Sequence, residues 1–167
     1  MQILFGLRAA LSFGLGVLIT FTQAHTYGVG SAVLAGFGLL LGLSSLGYVL
    51  RVKKFQWLMP LLIIATLVGV LALVTFINQT LQEVLFLPLV ALFGLSFAAF
   101  EGYLARRHRG SSPLGRDFAI SAVLSLALGL TFLLAPLDEV SSVGFLGAYL
   151  AISGVFWGIT AASPQPK

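Results

Sequence analysis

Six stretches of this chain stay apolar for close to the twenty residues that a helix needs to cross a hydrocarbon core of about 30 Å. They lie at about 3–21, 29–50, 57–77, 84–104, 118–135 and 140–161. In lipid every backbone N–H and C=O must find its partner within the protein, so a spanning segment is either a helix or a strand of a closed barrel. Barrel strands alternate polar and apolar residues over about ten positions. The run "LMPLLIIATLVGVLALVTFI" is apolar on every face, which excludes that alternation. The sequence therefore predicts an all-α fold, an integral membrane bundle of six transmembrane helices. Three helical hairpins at about 3–50, 56–105 and 116–162 would form one transmembrane domain over 1–167.

Composition points the same way. The chain is 59% hydrophobic and 8% charged, whereas soluble domains are about 25% charged. Nine basic and five acidic side chains cannot cover a water-facing surface of this size. A net charge of +4 spread over one face would suggest nucleic acid. Here the basic residues sit in short clusters between apolar runs, so no nucleic-acid partner is expected. The chain has no cysteine, hence no thiolate nucleophile and no thiolate metal site.

The breaks between runs set the sidedness. "TQAHTYG" and "NQTLQE" are polar, "RVKKFQ" and "RRHRGSSPLGRD" are basic, and "APLDE" is a tight acidic turn. Pro60 and Pro88 are expected near the starts of their helices, where a missing N–H costs little, and Asp117 is expected to cap the fifth helix. With a cytoplasmic N-terminus, all nine cations fall on the cytoplasmic side: Arg8, Arg51, Lys53, Lys54, Arg106, Arg107, Arg109, Arg116 and Lys167. Glu83, Asp138 and Glu139 fall on the other. The positive-inside bias then predicts both termini in the cytoplasm. The opening "GLRAALSFGLGVLITFTQAHT" also has the look of a signal peptide cleaved after Ala24. Apolar Ile3, Leu4 and Phe5 precede Arg8, though, where a signal peptide would be polar and basic. Cleavage would also strip the second helix of its hairpin partner, so a retained first span is expected.

Burial drives little association between apolar helices in lipid, and close packing through small residues must supply it. Small residues recur four apart in the returning helices: Gly38 and Gly42, then Gly94, Ala98 and Gly102, then Gly154 and Gly158. These are the candidate packing positions, within one subunit or between copies or other membrane proteins. Substitution of Gly102 or Gly154 by Leu is expected to disturb stability and assembly.

Chemistry-bearing residues are few. Glu101 is the one acid expected inside a span, and an intramembrane carboxylate often marks an ion or proton path. Arg106, Arg107 and Arg116 are near enough in sequence to pair with it at the interface, which is the expected arrangement. Arg8 is expected to snorkel to the surface. Arg106, Arg107 and Arg109 are candidate contacts for anionic lipid head groups. His25 and His108 fall on opposite sides and lack nearby ligands, so no metal site is expected. No catalytic set and no nucleotide or cofactor motif is present, and the chain is expected not to be an enzyme.

The hairpins resemble one another. "GLRAALSFGLGVLITF…SAVLAGFGLLLGLSS" and "GRDFAISAVLSLALGLTFLLAP…SSVGFLGAYLAISGVFWGITAA" share a Gly-Arg opening, an outgoing helix and a Gly-rich return. The middle hairpin fits more loosely, with Gly102 set over Gly154. A repeat near fifty residues implies duplicated hairpins. The stretch 115–162 resembles the short repeat of HdeD-like membrane proteins, with a weaker likeness over 6–50. The resemblance implies a six-span bacterial inner-membrane protein, of a family with one member associated with acid resistance and with no established catalytic residues. Three functional classes follow: a non-enzymatic, stress-associated protein acting through packing or assembly in the bilayer; a small transporter or channel using a polar path near Glu101; and an accessory subunit of a larger membrane complex.

Overall fold

The computed structural model describes residues 2–110 and 113–163, apart from the side chains of Lys53 and Lys54; Lys167 lies outside the described residues. The elements are α1 (Gln2–Phe21), α2 (Tyr27–Arg51), α3 (Met59–Ile77), α4 (Gln79–Arg107), α5 (Leu114–Leu134) and α6 (Glu139–Ala162). A 3-10 turn over Lys53–Leu58 leads into α3. All six helices are long and apolar enough to cross a membrane, and the described residues contain no strand.

The helix ends depart from expectation in instructive ways. "NQTLQE" does not break the chain but starts α4, about five residues early. The Asn78 side chain accepts a hydrogen bond from Leu81 N at 3.3 Å, and Gln82 Nε2 donates to the Phe76 carbonyl at 2.7 Å. Local side-chain bonds thus satisfy backbone groups that helix ends leave open. Pro88 consequently lies inside α4 and not in its first turn, where its ring removes one helical hydrogen bond. Pro60 does sit at the start of α3. Asp117 is in the first turn of α5 but makes no capping bond, Pro113 holding the cap position. At the acidic end, Thr26 caps α2 through Val29 N, and Glu139 Oε1 accepts from Tyr27 N at 2.7 Å. Glu139 thereby joins the start of α6 to that of α2. Its neighbour Asp138 has a carboxyl held below the usual carboxylate range, chiefly by a hydrogen bond from Ser141.

The sequence hairpins are not the tightest units. α2 packs most extensively on α3, α4 on α5, and α6 on α1, while lighter contacts between α1 and α2, α3 and α4, and α5 and α6 close a ring. Each returning helix therefore grips the next outgoing one, and α6 grips the first. α1 is one wall of this ring, packed on α6 and α2.

The same layer recurs three times. Phe37, Phe93 and Tyr149 lie fifty-six residues apart on α2, α4 and α6. Their rings meet edge to face inside the bundle, with centroids 5.7 Å apart for Phe37–Phe93 and 6.0 Å for Phe93–Tyr149. Leu34, Val90 and Leu146 follow the same spacing and are all fully buried. Gly16, Gly69 and Gly129 are the matching small residues of the outgoing helices. Each faces the backbone of its returning partner at Ala151, Leu39 and Leu95, again fifty-six residues apart. In this register Gly102 matches Gly158 and Gly154 matches Ala98, which corrects the looser alignment of Gly102 on Gly154.

Close approach explains the small residues. Gly38 packs on the backbone of Ala65 and Gly69, Gly42 on Thr66 and Leu62, Gly94 on Ser125 and Gly129, and Gly154 on Phe13. A Cβ on Gly94 would lie 2.6 Å from Gly129 N, so the helices would have to separate. Gly102 and Gly158 are different. A Cβ there would meet only Ala122 Cβ at 4.0 Å and Ala9 Cβ at 3.8 Å, which is ordinary contact or open space. Gly94→Ala should therefore cost about 1–3 kcal/mol, and Gly102→Ala should stay within about 0.5 kcal/mol of the parent. Reversible unfolding in mixed micelles checks this, and equal losses would contradict the close-approach account.

Candidate functional site: a buried ion pair

The counterparts of one layer differ in chemistry. On the returning helices the layer after the aromatic ring triad holds Ser45, Glu101 and Trp157; on the outgoing helices the matching layer holds Arg8, Leu61 and Ser121. All six side chains are buried. Arg8 and Glu101 each lie six residues in from the basic end of their helices, roughly 9 Å along the axis at 1.5 Å per residue. The layer is therefore below the helix ends and inside the bundle.

There Arg8 Nη2 meets Glu101 Oε1 at 2.6 Å, with both side chains almost completely shielded. Arg8 Nη2 also donates to Ser121 Oγ at 3.4 Å, and Trp157 Nε1 donates to the same oxygen at 3.2 Å. On the far side of the carboxylate, Ser125 Oγ donates to Glu101 Oε2 at 3.2 Å. The single Ser125 proton is thus committed, so the Tyr149 hydroxyl must donate in the 2.9 Å contact between Ser125 Oγ and Tyr149 OH. The result is one network across α1, α4, α5 and α6. The guanidinium carbon lies 4.4 Å from the Trp157 ring and 5.5 Å from that of Phe97, within the range where a cation gains from an aromatic face.

Aromatic rings seal the network toward the basic end. Phe5 lies against Trp157 at 4.8 Å and against Phe118 at 6.1 Å. Trp57 and His108 stack beyond Phe118, with Trp57 meeting His108 at 4.8 Å. A cavity of about 30 Å³ borders Arg8, Ser45, Leu61 and Phe118, the volume of about one water molecule. Among the described residues, no group of three His, Asp or Glu side chains is placed to hold a metal ion.

Two expectations are corrected. Glu101 does not pair with Arg106, Arg107 or Arg116, which are exposed; Arg107 instead donates to Tyr103 OH at 3.3 Å. Arg106 and Arg107 are five and six residues along α4, which turns them roughly 120–140° away from the buried carboxylate. Arg8 does not snorkel, being 4% exposed. Nor is it the repeat counterpart of Arg116: the structural register sets Arg116 against Ile3 and places Arg8 a turn deeper. Of the other candidates, Gly38, Gly42, Gly94, Ala98 and Gly154 lie in buried helix contacts, whereas Gly102 and Gly158 are half-buried. Arg106 and Arg109 are together at the basic end of α4, with Arg116. Arg8 as the partner of Glu101 was missed, although one cation and one anion within the spans are each other's cheapest neutraliser.

Six apolar spanning helices around a sealed charged core define a multi-pass, all-α membrane protein. Comparison with protein-family models, with curated proteins and with solved structures gave no match.

Breaking a buried pair leaves a bare charge and costs about 3–5 kcal/mol, while replacing both partners with apolar side chains is far cheaper. Arg8→Leu and Glu101→Leu should each lower unfolding free energy in that range. The double variant should lose much less than their sum. An additive result would contradict the coupling.

Proposed function

We propose that the chain is a non-enzymatic, HdeD-like protein of the bacterial inner membrane, with both termini and the "RRHRG" turn cytoplasmic. Its work is done by the surfaces it offers within the bilayer, toward lipid, further copies or other membrane proteins, and the resemblance gives that work a place in acid stress. One observation carries the non-transport reading. The two charges that a solute or proton path would use are bound to each other at 2.6 Å behind an aromatic seal. Charges on an ion path face the bundle interior or a water-filled cavity, and the space beside Arg8 has room for only about one water.

The transporter reading has a specific feature in its favour. Tyr149, Ser125 and Glu101 form a run of hydrogen bonds aimed at a carboxylate, the form a proton relay takes. It extends from Tyr149 to the buried Ser153 hydroxyl, one turn along the same helix, while the Tyr149 ring meets Phe93 and, beyond it, Phe37, which carry no exchangeable proton. An accessory-subunit role is compatible with the same surfaces and loops.

Proteoliposomes loaded with a pH-sensitive dye separate these readings. The closed-bundle reading predicts proton flux equal to protein-free vesicles for the parent and for Tyr149→Phe. Flux in the parent that Tyr149→Phe abolishes would establish the relay instead.

A further inference from the structure

The outer faces of the three gripping helix pairs are not equivalent. Between α4 and α5 runs an open groove of about 500 Å³, with Ala98, Gly102 and Ala122 as its floor and Leu95, Val123 and Leu126 as its apolar end. At the basic end it reaches Tyr103 and Arg106. Arg106 also borders a second hollow of about 420 Å³, shared with Arg109, Gly110, Gly115 and Arg116. The two hollows therefore form one surface joined at Arg106. Between α6 and α1 the corresponding hollow of about 420 Å³ is lined by Phe13, Ala151, Ile152, Val155, Phe156 and Ile159, with no charge. In the structural register Leu50 and Ala162 stand where α4 carries Arg106, and Gln56 and Ile3 where α5 carries Arg116. The α2–α3 copy does carry Arg51 where α4 has Arg107 and Lys53 where the chain has Arg109, but the arginine pair at the positions of Arg106 and Arg116 belongs to the α4–α5 copy.

We propose that this α4–α5 surface holds a single anionic phospholipid, its phosphate against Arg106, Arg109 and Arg116 and one acyl chain along the Gly102 groove. The proposal rests on the membrane reading above. Charge and length both specify the occupant. The three arginines are exposed, and among the described residues the one ion pair is that of Arg8 with Glu101. A phosphate gives such a cluster charge-assisted hydrogen bonds. From Leu95 to Arg106 the groove runs eleven residues along α4, roughly 16 Å, which is about half of a 30 Å hydrocarbon core. It thus spans one leaflet, from head-group level to the bilayer centre. Gly102 keeps the floor open: it forms no close helix contact, so its small size is explained by the groove and not by helix packing. A diffuse basic patch would attract anionic lipid without needing the groove. The proposal differs by requiring both parts.

The test uses the full chain in mixed micelles with dioleoylphosphatidylglycerol or dioleoylphosphatidylcholine, and counts retained lipid by native mass spectrometry. The parent should retain one phosphatidylglycerol in preference to phosphatidylcholine. Arg106→Gln with Arg116→Gln should lower that retention at least about tenfold, given about fivefold per surface arginine. Gly102→Leu, which fills the groove and leaves every charge in place, should lower it as well. Arg107→Gln, which lines neither hollow although it bonds to Tyr103 at the groove's basic end, should lower it less than Arg106→Gln does. These exposed or half-buried positions are outside the packed core, and a matching unfolding midpoint for each variant verifies the fold. Loss on Arg107→Gln equal to that on Arg106→Gln, or full retention by Gly102→Leu, would overturn the proposal, as would inorganic phosphate displacing the lipid at millimolar concentration. Proton flux by the parent would overturn the closed-bundle reading and leave this result standing.

Discussion

A charge cannot be left alone in the interior of a membrane bundle, and this chain places one cation and one anion there. Isolated, each would carry a desolvation penalty of several kcal/mol. Together, Arg8 and Glu101 neutralise each other only when α1 stands across the ring from α4 so that the two side chains meet inside it, with Ser121, Ser125, Tyr149 and Trp157 supplying further hydrogen bonds from α5 and α6. Apolar packing alone gives a bundle many near-equal ways to arrange six greasy helices, since lipid is as apolar as the helices themselves. A buried pair selects among them: any arrangement that separates α1 from α4 exposes two bare charges to hydrocarbon. The pair contributes specificity of helix arrangement more than net stability.

Around that pair the fold repeats one device. Each returning helix brings a small-residue face against the next outgoing helix, at Gly38 with Gly69, at Gly94 with Gly129 and at Ala151 with Gly16. The centre is filled by one ring from each returning helix. The departures from repetition are where chemistry has been introduced. Ser45, Glu101 and Trp157 share one repeat position, as do Leu61, Ser121 and Arg8. With the same residue in all three copies, each of these two positions would hold three like charges or none. Because the copies differ, two of the six side chains make an ion pair, and two more supply a donor, Trp157, and an acceptor, Ser121. The same logic separates the arginine-rich outer groove of α4–α5 from its uncharged counterpart on α6–α1.

Much of the architecture was readable from the sequence because it depends on local quantities. Run length and hydropathy fix the number of helices, and the segregation of cations from acids divides the chain's ends into two groups. Helix starts were read less well. Asn78 and Gln82 look like a polar break, yet their side chains bond to neighbouring backbone and let α4 begin there. The three hairpins are present, but the tightest contacts lie between them, for a physical reason. Hairpin partners adjacent in sequence make the lighter contacts, whereas close backbone approach at matched glycines makes the tight ones, and that match appears only when both helix faces are known. Glu101 was recognisable as an intramembrane acid, but its partner is ninety-three positions away. Sequence proximity favoured Arg106, which helical rotation turns outward. Gly102 looked like its neighbours Gly94 and Ala98, and only the position of α5 shows that it faces a groove.

The pair itself is the most direct point of measurement. In bilayers, the dipolar coupling between ¹⁵N-labelled arginine side chains and the ¹³C-labelled Glu101 carboxyl reads which cation lies against that acid, and the carboxyl chemical shift reads its charge. The account predicts an ionised carboxylate with a strong coupling that persists in Arg106→Gln and disappears in Arg8→Gln. A protonated carboxyl without arginine coupling, or a coupling that survives Arg8→Gln and vanishes with Arg106, would contradict it.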